Sequence, residues 1–280
     1  MSGRFVAAAV QLTSTSDEAA NWEAAQGWIE RAAARGASLV ATPENTTYLG
    51  PHEEKVRRAE PLDGPAVGRF AALARRLGIH LLLGSFAERS DEPSRCYNTS
   101  VLLGPDGGVL AAYRKLHLFD VDVPGGVRFA ESATCKPGEL GGPGDPHRGL
   151  VVAATPLGRL GLTICYDLRF AELYRRLADL GADVLTVPSA FTLATGKDHW
   201  EPLLRARAIE NQCWVLAPAQ HGRHDDGGLR ESYGHAMIVD PWGLPVAEAS
   251  DGPGLAIAEI DLERSQRVRR AIPVRQHRRL

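Results

Sequence analysis

Long hydrophobic runs and an excess of charge of either sign are both missing from this sequence of 280 residues. The apolar run from Phe5 to Val10 is too short to span a membrane and no cleavage pattern follows it, so we expect a first strand there. Lysine and arginine number 32 against 34 aspartates and glutamates, which gives a formal net charge of -2. We therefore predict a small-molecule partner, with no nucleic acid and no membrane.

Cysteine is scarce, and no Cys-x-x-Cys pair suggests a zinc site or a redox motif. The four cysteines lie far apart in the sequence: Cys96, Cys135, Cys165 and Cys213. This usage favours reduced thiols and a cytoplasmic protein, and it leaves room for one reactive cysteine.

Apolar runs of strand length alternate with segments of helical period, which predicts an α/β protein with mixed sheets covered by helices. The predicted strands are Phe5 to Leu12, Ser38 to Thr42, His80 to Ala87, a pair from Asn98 and from Val109, Val151 to Ala154, Leu160 to Cys165, Asp183 to Val187, Trp214 to Ala217, His235 to Val239 and Leu255 to Ile260. The predicted helices are Glu18 to Ala34, Pro65 to Leu77, one from Phe170, and one from about Asp198 to Gln212.

No composition shift divides the chain, so residues 1–280 are expected to form a single domain. The Gly/Pro-rich stretch at 136–149 is short enough to be a loop. The basic tail, residues 265–280, is predicted to be a C-terminal arm that is solvated or used in subunit packing rather than a nucleic-acid site.

Cys165 stands where an apolar strand runs into polar residues that begin a helix. A thiol at such a turn faces backbone N–H groups and a helix N-terminus, both of which favour developing negative charge. The sequence here predicts a strand-to-helix nucleophile turn. The alternative for this residue taken alone is a buried structural cysteine.

Two further charged residues follow apolar strands. Glu44, in Thr42-Pro43-Glu44-Asn45, is placed to act as a general base on a thiol and then as an acid towards an amine, since α/β sites gather at the carboxyl ends of strands. Lys115, at the end of the hairpin's second strand, could stabilise an oxyanion. Taken singly, each could equally be a solvated side chain.

In the order Glu, Lys, Cys, and each within its own sequence context, these segments resemble the nitrilase superfamily of carbon-nitrogen hydrolases over nearly the whole chain. The resemblance places the family's catalytic residues on Glu44, Lys115 and Cys165. It places a further glutamate, in the loop after the lysine, on Glu131, and it implies that Lys115 and the backbone N–H of Tyr166 hold the oxyanion.

The resemblance also implies a four-layer α-β-β-α sandwich, no metal or organic cofactor, and a homodimer or larger homo-oligomer in which C-terminal segments cross between subunits. The sequence from His199 to Glu210 looks like the Nit branch of the superfamily. The segments Ala219 to His224, Ser232 to His235 and Asp240 to Gly243 look most like amidases that act on deaminated glutathione.

That resemblance implies hydrolysis of a linear amide through a thioester, giving 2-oxoglutarate and cysteinylglycine. For an anionic substrate the candidate ligands are Arg169 and Arg207, with Phe191 and Thr192 shaping the pocket. Arg169 could instead pair with nearby acids. Two other functions stay open: ω-amidase activity on α-ketoglutaramate or another short aliphatic amide, and a noncatalytic binding member.

Overall fold

A computed structural model describes residues 3–122, 128–141, 147–228 and 230–279. Its strands are β1 (Arg4–Leu12), β2 (Ala37–Ala41), β3 (His80–Arg89), β4 (Cys96–Leu103), β5 (Val109–Arg114), β6 (Asp120–Asp122), β7 (Arg128–Ala130), β8 (Val152–Thr155), β9 (Gly158–Leu162), β10 (Val184–Thr186), β11 (Trp214–Ala217), β12 (Ala219–Arg223), β13 (Glu231–Tyr233), β14 (Met237–Val239), β15 (Pro245–Glu248) and β16 (Gly254–Asp261). Its helices are α1 (Glu18–Ala34), α2 (His52–Arg57), α3 (Pro65–Leu77), α4 (Ala171–Asp179), α5 (Leu193–Asn211), α6 (Leu262–Ala271) and α7 (Val274–His277).

The strands form two mixed sheets and a small third one. The first sheet has the order β13-β12-β1-β2-β3-β4-β5, with β16 also paired to β1, and the second has the order β15-β14-β11-β10-β9-β8. Strands β12, β1, β2 and β3 run parallel, as do β9, β10 and β11, while the remaining strands of both sheets pair antiparallel. The parallel strands of each sheet therefore end at a common edge.

Alternation along β1 shows how the layers pack. Ala7 and Ala9 face the core between the two sheets, whereas Ala8 and Val10 face the opposite side, where they pack with Ile29 of α1 and residues of α3. Successive side chains of a strand point to opposite faces, so a strand with apolar residues on both faces is buried on both. With α4 and α5 packed on the second sheet, the order is α-β-β-α, which confirms the fold predicted from the sequence.

The predicted elements lie close to where the sequence placed them, but strands β6, β7, β12, β13 and β15 and helices α2, α6 and α7 were not predicted. The strand predicted to run from Leu160 to Cys165 ends at Leu162, and Cys165 begins a 3-10 turn instead. The helix predicted from about Asp198 begins at Leu193. Helix α2 was not predicted, because six residues are too few to show a helical period.

Residues 142–146 of the predicted loop 136–149 lie outside the described residues, and the described parts of that loop form no helix or strand. The predicted arm contains most of α6 and all of α7, and Arg278 of the arm pairs with Asp179 at 2.9 Å. Among the described residues, no helix is long and apolar enough to cross a membrane.

Candidate active site

Cys165 lies in the connection between β9 and α4. Its backbone φ is +47°, in the left-handed region that non-glycine residues seldom adopt, and its N–H donates to the Pro188 carbonyl at 2.9 Å. The 3-10 turn Cys165–Arg169 begins at this residue. Its first N–H groups, including that of Tyr166, have no acceptor within the turn. The thiol therefore stands beside backbone donors that are available to an oxyanion.

A buried aspartate ties this turn to the other sheet. Asp167 Oδ2 accepts hydrogen bonds from the Ile164 N–H at 2.8 Å and from the Tyr113 hydroxyl at 2.7 Å. Its Oδ1 accepts from the His117 N–H at 3.1 Å and lies 2.7 Å from His117 Nδ1. Tyr113 and His117 lie two residues before and after Lys115 in the sequence. Asp167 thus links the nucleophile turn to the segment that carries the ammonium.

The loop after β2 carries Glu44 and depends on a close approach to β3. A Cβ added at Gly84 would lie 1.9 Å from the Thr42 carbonyl oxygen, so no other residue fits at that position without moving the loop. Asn45 adopts a positive φ of 56°, and its N–H donates to Ser85 Oγ at 2.8 Å. Together these contacts fix the backbone on both sides of the glutamate.

Three donors orient the buried Glu44 carboxylate. Oε1 accepts from Lys115 Nζ at 2.9 Å and from Asn98 Nδ2 at 2.8 Å. Oε2 accepts from the Ala190 N–H at 2.9 Å. Because Asn98 belongs to the first sheet and Ala190 follows a strand of the second, Glu44 is held between the two sheets.

The Lys115 ammonium lies between two carboxylates. Its Nζ is 2.9 Å from Glu44 Oε1 and 2.8 Å from Glu131 Oε2. Glu131 Oε2 also accepts from the Phe119 N–H at 2.8 Å, and its Oε1 accepts from Asn98 Nδ2 at 3.3 Å. Every buried charge in this cluster has a partner, as buried charges require.

Charge pairing decides the protonation of the lysine and the second glutamate. Burial lowers the pKa of Lys115, but Glu131 and Glu44 raise it more, and the result lies well above the ordinary value. Burial raises the pKa of Glu131, but Lys115 and Lys55 lower it more, to about 2. Both groups are therefore charged at neutral pH.

The nucleophile is a neutral thiol at rest. Burial raises the pKa of Cys165, the Glu44 carboxylate raises it further, and Lys115 offsets only part of this, so the pKa lies well above its ordinary value. A thiol is a poor nucleophile until it loses its proton. The Glu44 carboxylate lines the same cavity and is near enough to raise the pKa of this thiol, so it is placed to act as the base.

Cys165, Glu44, Lys115 and Glu131 line one cavity. Tyr166 also lines it, as do three of the four residues that were predicted to bind substrate: Arg169, Phe191 and Thr192. The Arg169 guanidinium lies 5.0 Å over the Phe191 ring and 3.3 Å from His199 Nδ1. It has no carboxylate partner in the part of the chain that the structure describes, so the alternative of an ion pair with nearby acids is not supported.

Arg207 does not line this cavity, so its predicted contact with substrate is corrected. Its buried guanidinium donates to the Leu168 carbonyl at 3.0 and 2.7 Å and to Glu210 at 2.9 Å. These contacts support the nucleophile turn from behind. An arginine on the predicted helix could face the cavity or the turn, and the sequence does not tell which face it takes.

Several residues of the site were missed by sequence reasoning. Asp167 could have been found, since an acidic residue two positions after the nucleophile can cap the turn that begins there. Asn98 gives no signal, because it sits in an otherwise ordinary strand. Three residues at one end of the cavity were also missed: His52, Lys55 and Arg230. The first two belong to α2, which is too short for its helical period to be recognised in the sequence.

Comparison with known proteins shows the family to which the chain belongs. The family model for carbon-nitrogen hydrolases matches residues 6–270. The chain therefore belongs to the carbon-nitrogen hydrolase family, which confirms the resemblance to the nitrilase superfamily. It is 46% identical to the deaminated glutathione amidase of Synechocystis sp. over 275 residues, which is 98% of each chain.

Two solved structures are also similar. NitFhit from C. elegans superposes with a TM-score of 0.90 at 43% identity, covering 99% of this chain and 66% of that one, so this chain spans about two thirds of the fusion protein. Nit3 from Saccharomyces cerevisiae, a member of branch 10 of the nitrilase superfamily, superposes with a TM-score of 0.85 at 32% identity, covering 99% and 97%. Both matches extend over nearly the whole of this chain.

Proposed function

We propose that this carbon-nitrogen hydrolase is an amidase that cleaves the amide bond of deaminated glutathione, giving 2-oxoglutarate and cysteinylglycine. The observation that carries the proposal is the convergence of Cys165, Glu44 and Lys115 in one cavity, with Lys115 Nζ donating to Glu44 Oε1. A relative named for this activity, nearly half identical over the whole length, supports the choice of substrate.

In the first half of the reaction Glu44 takes the Cys165 proton as the sulfur attacks the amide carbonyl carbon. The C–S bond forms, and the carbonyl π electrons move to the oxygen. Lys115 and the Tyr166 N–H stabilise this oxyanion. Loss of one such donor typically removes about 3 to 4 kcal/mol of transition-state stabilisation. Glu131 holds the ammonium in place from its other side.

In the second half the tetrahedral intermediate collapses, and the C–N bond breaks. Glu44 returns its proton to the departing amine, so that cysteinylglycine leaves as a neutral amine. Glu44 then takes a proton from a water molecule that attacks the thioester. Expulsion of the sulfur gives the carboxylic acid product, and the thiol regains its proton.

Steady-state kinetics of wild type and Cys165→Ala on deaminated glutathione and on α-ketoglutaramate test this function. We expect wild type to prefer deaminated glutathione in kcat/KM, and Cys165→Ala to lose more than about 10⁴-fold in kcat. Cys213→Ala is the matched control, since it removes a buried thiol outside the cavity. We expect it to keep its kcat.

Each other outcome revises the proposal. A preference for α-ketoglutaramate would make the protein an ω-amidase. Inactivity of the wild type on both substrates would leave only the family. A folded Cys165→Ala variant with full activity would remove Cys165 as the nucleophile, whichever substrate is preferred.

We further propose that the protein forms a homodimer or larger homo-oligomer. Four large apolar side chains are exposed on α5 and around the turn between β14 and β15: Ile209, Trp242, Leu244 and Val246. Exposed large apolar side chains in neighbouring segments are typical of protein interfaces. Light scattering should show an oligomer that Trp242→Glu weakens. Subunit packing by the arm, residues 265–280, stays a prediction. Light scattering of a variant that lacks these residues tests it.

A cytoplasmic location is likewise a proposal. Its support is the chemistry of the cysteines, all four of which are free thiols. Fractionation of cells that express the tagged protein would test it.

A further inference from the structure

Lys55 is the one charged residue of α2 whose side chain is buried. Elsewhere on the helix, Glu54 pairs with Arg57 and with the following Arg58 near the surface. Lys55 is only 7% exposed. Within residues 3–122, 128–141, 147–228 and 230–279 its ammonium makes no hydrogen bond or ion pair. An unpaired charge is thus held inside the protein.

The carboxylates that could neutralise Lys55 are already occupied. Glu44 and Glu131 both bind the Lys115 ammonium. Burial alone lowers the pKa of Lys55, but Cys135, Cys96, Glu131 and Glu44 raise it more, so the pKa lies above its ordinary value. The group therefore remains an ammonium at neutral pH. A buried charge without a partner opposes folding. A charged side chain of this kind that lines a cavity is a candidate for binding a ligand of opposite charge.

Lys55 lines the same cavity as Cys165, in company with His52 and Arg230. His52 Nε2 is buried and has no hydrogen-bond partner among the described residues. Burial, Arg230 and Lys55 lower the pKa of His52 to about 4, so its ring is neutral at pH 7. Arg230 is already paired with Asp226 at 2.5 Å. At this end of the cavity, the Lys55 ammonium and His52 Nε2 therefore remain without a partner among the described residues.

The second cation without a carboxylate partner in the cavity is Arg169. Lys55 is buried, whereas Arg169 is partly exposed and its hydrogen bond to His199 lies at the surface. The amine half of an amide substrate must leave towards solvent while the acyl half stays bound as a thioester on Cys165. The buried cation is therefore placed for the acyl half, and the partly exposed one for the leaving half.

We propose that Lys55 is a specificity-determining residue that binds a carboxylate at the far end of the substrate's acyl group, with His52 Nε2 as a second polar contact. This inference rests on the proposed amidase function and deepens it, since it assigns the recognition of an acidic acyl chain to one ammonium. Amides whose acyl group ends in a neutral group lack the anion that Lys55 requires.

Ligand binding to an inactive background tests the assignment without turnover. The probes are glutaramate and glutaramide, which differ only by a carboxylate in place of a carboxamide of nearly the same shape. Calorimetry on Cys165→Ala should show glutaramate binding about 10- to 100-fold more tightly, as expected for a hydrogen bond to a charged group. In Cys165→Ala/Lys55→Met this preference should disappear, with glutaramide binding unchanged.

Two controls separate recognition from structure. Lys197→Met removes an exposed lysine outside the cavity and should keep the preference. Thermal unfolding of Lys55→Met should give a Tm equal to or above that of wild type, because an unpaired buried charge is removed. Lys55→Gln serves if the methionine variant fails to fold. A lowered Tm together with equal losses for both probes would mean a structural role and would overturn the proposal.

Every binding result decides the matter. Absence of any preference for glutaramate in Cys165→Ala, absence of binding by both probes, or a preference that survives in Lys55→Met would each refute the role of Lys55. Failure of the wild type to hydrolyse deaminated glutathione, with the Lys55-dependent preference intact, would refute the proposed substrate and leave Lys55 as the carboxylate receptor of another acidic amide.

Discussion

Two buried lysines in one cavity differ in whether carboxylates neutralise the charge of the ammonium group. Lys115 is 2% exposed and lies within 2.9 Å of two carboxylates, whereas Lys55 is 7% exposed and has no ion-pair partner among the described residues. A fully paired ammonium holds a fixed position through a reaction cycle. An unpaired one can acquire and release an anionic ligand. The presence of a carboxylate partner, more than the depth of burial, therefore distinguishes the proposed catalytic lysine from the proposed substrate-binding lysine.

Lys115→Met should give the largest effect, and it tests the proposed catalytic role of the paired lysine. It removes the proposed oxyanion donor, so we expect kcat to fall about 10³-fold or more. It also leaves Glu44 and Glu131 buried without their cation, which should lower the free energy of unfolding by about 3 to 5 kcal/mol. Turnover assays and urea denaturation measure the two effects.

The matched variant for that experiment is Lys55→Met, which should lose no stability. If both methionine variants lost the same unfolding free energy, the distinction between a paired and an unpaired lysine would be wrong. Retention of wild-type kcat in Lys115→Met would remove its ammonium from the reaction.

Glu131→Gln sharpens the comparison by taking one of the two anions from Lys115. A misplaced ammonium should lower kcat by up to about 10²-fold. The folded-state pKa of Glu131, about 2, lies below its ordinary value of 4.5. In that interval the unfolded chain binds the extra proton, so the stabilisation is present above pH 4.5 and is lost as the pH falls towards 2.

Acid unfolding measures this second effect of Glu131. Between pH 4.5 and 2 the wild type should lose about 3 kcal/mol of unfolding free energy that Glu131→Gln does not lose. Parallel stability curves for the two proteins over that range would contradict the depressed pKa.

Asn98→Ala should give the smallest effect of the three. Asn98 Nδ2 donates to both Glu44 and Glu131, so its loss removes hydrogen bonds to charged groups and should lower kcat about 10-fold. Because Asn98 does not line the Lys55 end of the cavity, the affinity of the Cys165→Ala background for glutaramate should stay within about twofold. A larger change in that affinity would mean that the two ends are coupled.

Periodicity and motif context were enough to predict the layers of the fold and the convergence of Glu44, Lys115 and Cys165. Apolar alternation defines which strands are buried on both faces. The meeting of the three residues was implied by the family resemblance, because Glu44 and Cys165 follow strands of different sheets and Lys115 follows the antiparallel strand β5. Glu131 was placed in the site by resemblance alone. The structure puts it 2.8 Å from Lys115.

The parts that could not be predicted depend on contacts between distant segments. Arg207 was expected in the cavity, but the rotation of α5 directs it to the Leu168 carbonyl. Lys55 is surrounded by charged residues in the sequence, so nothing local distinguishes it from the exposed side chains of α2. Its burial results from the packing of α2 over the cavity.

Asp167 has a consequence for how the protein tolerates change over evolution. It connects the nucleophile turn, which follows β9, to Tyr113 in β5 and to His117 just after that strand, on either side of Lys115 in the sequence. Substitutions elsewhere in the core that shift one sheet against the other therefore carry the thiol and the ammonium together. We therefore expect a core substitution distant from the cavity to leave the spacing of the two reacting groups unchanged.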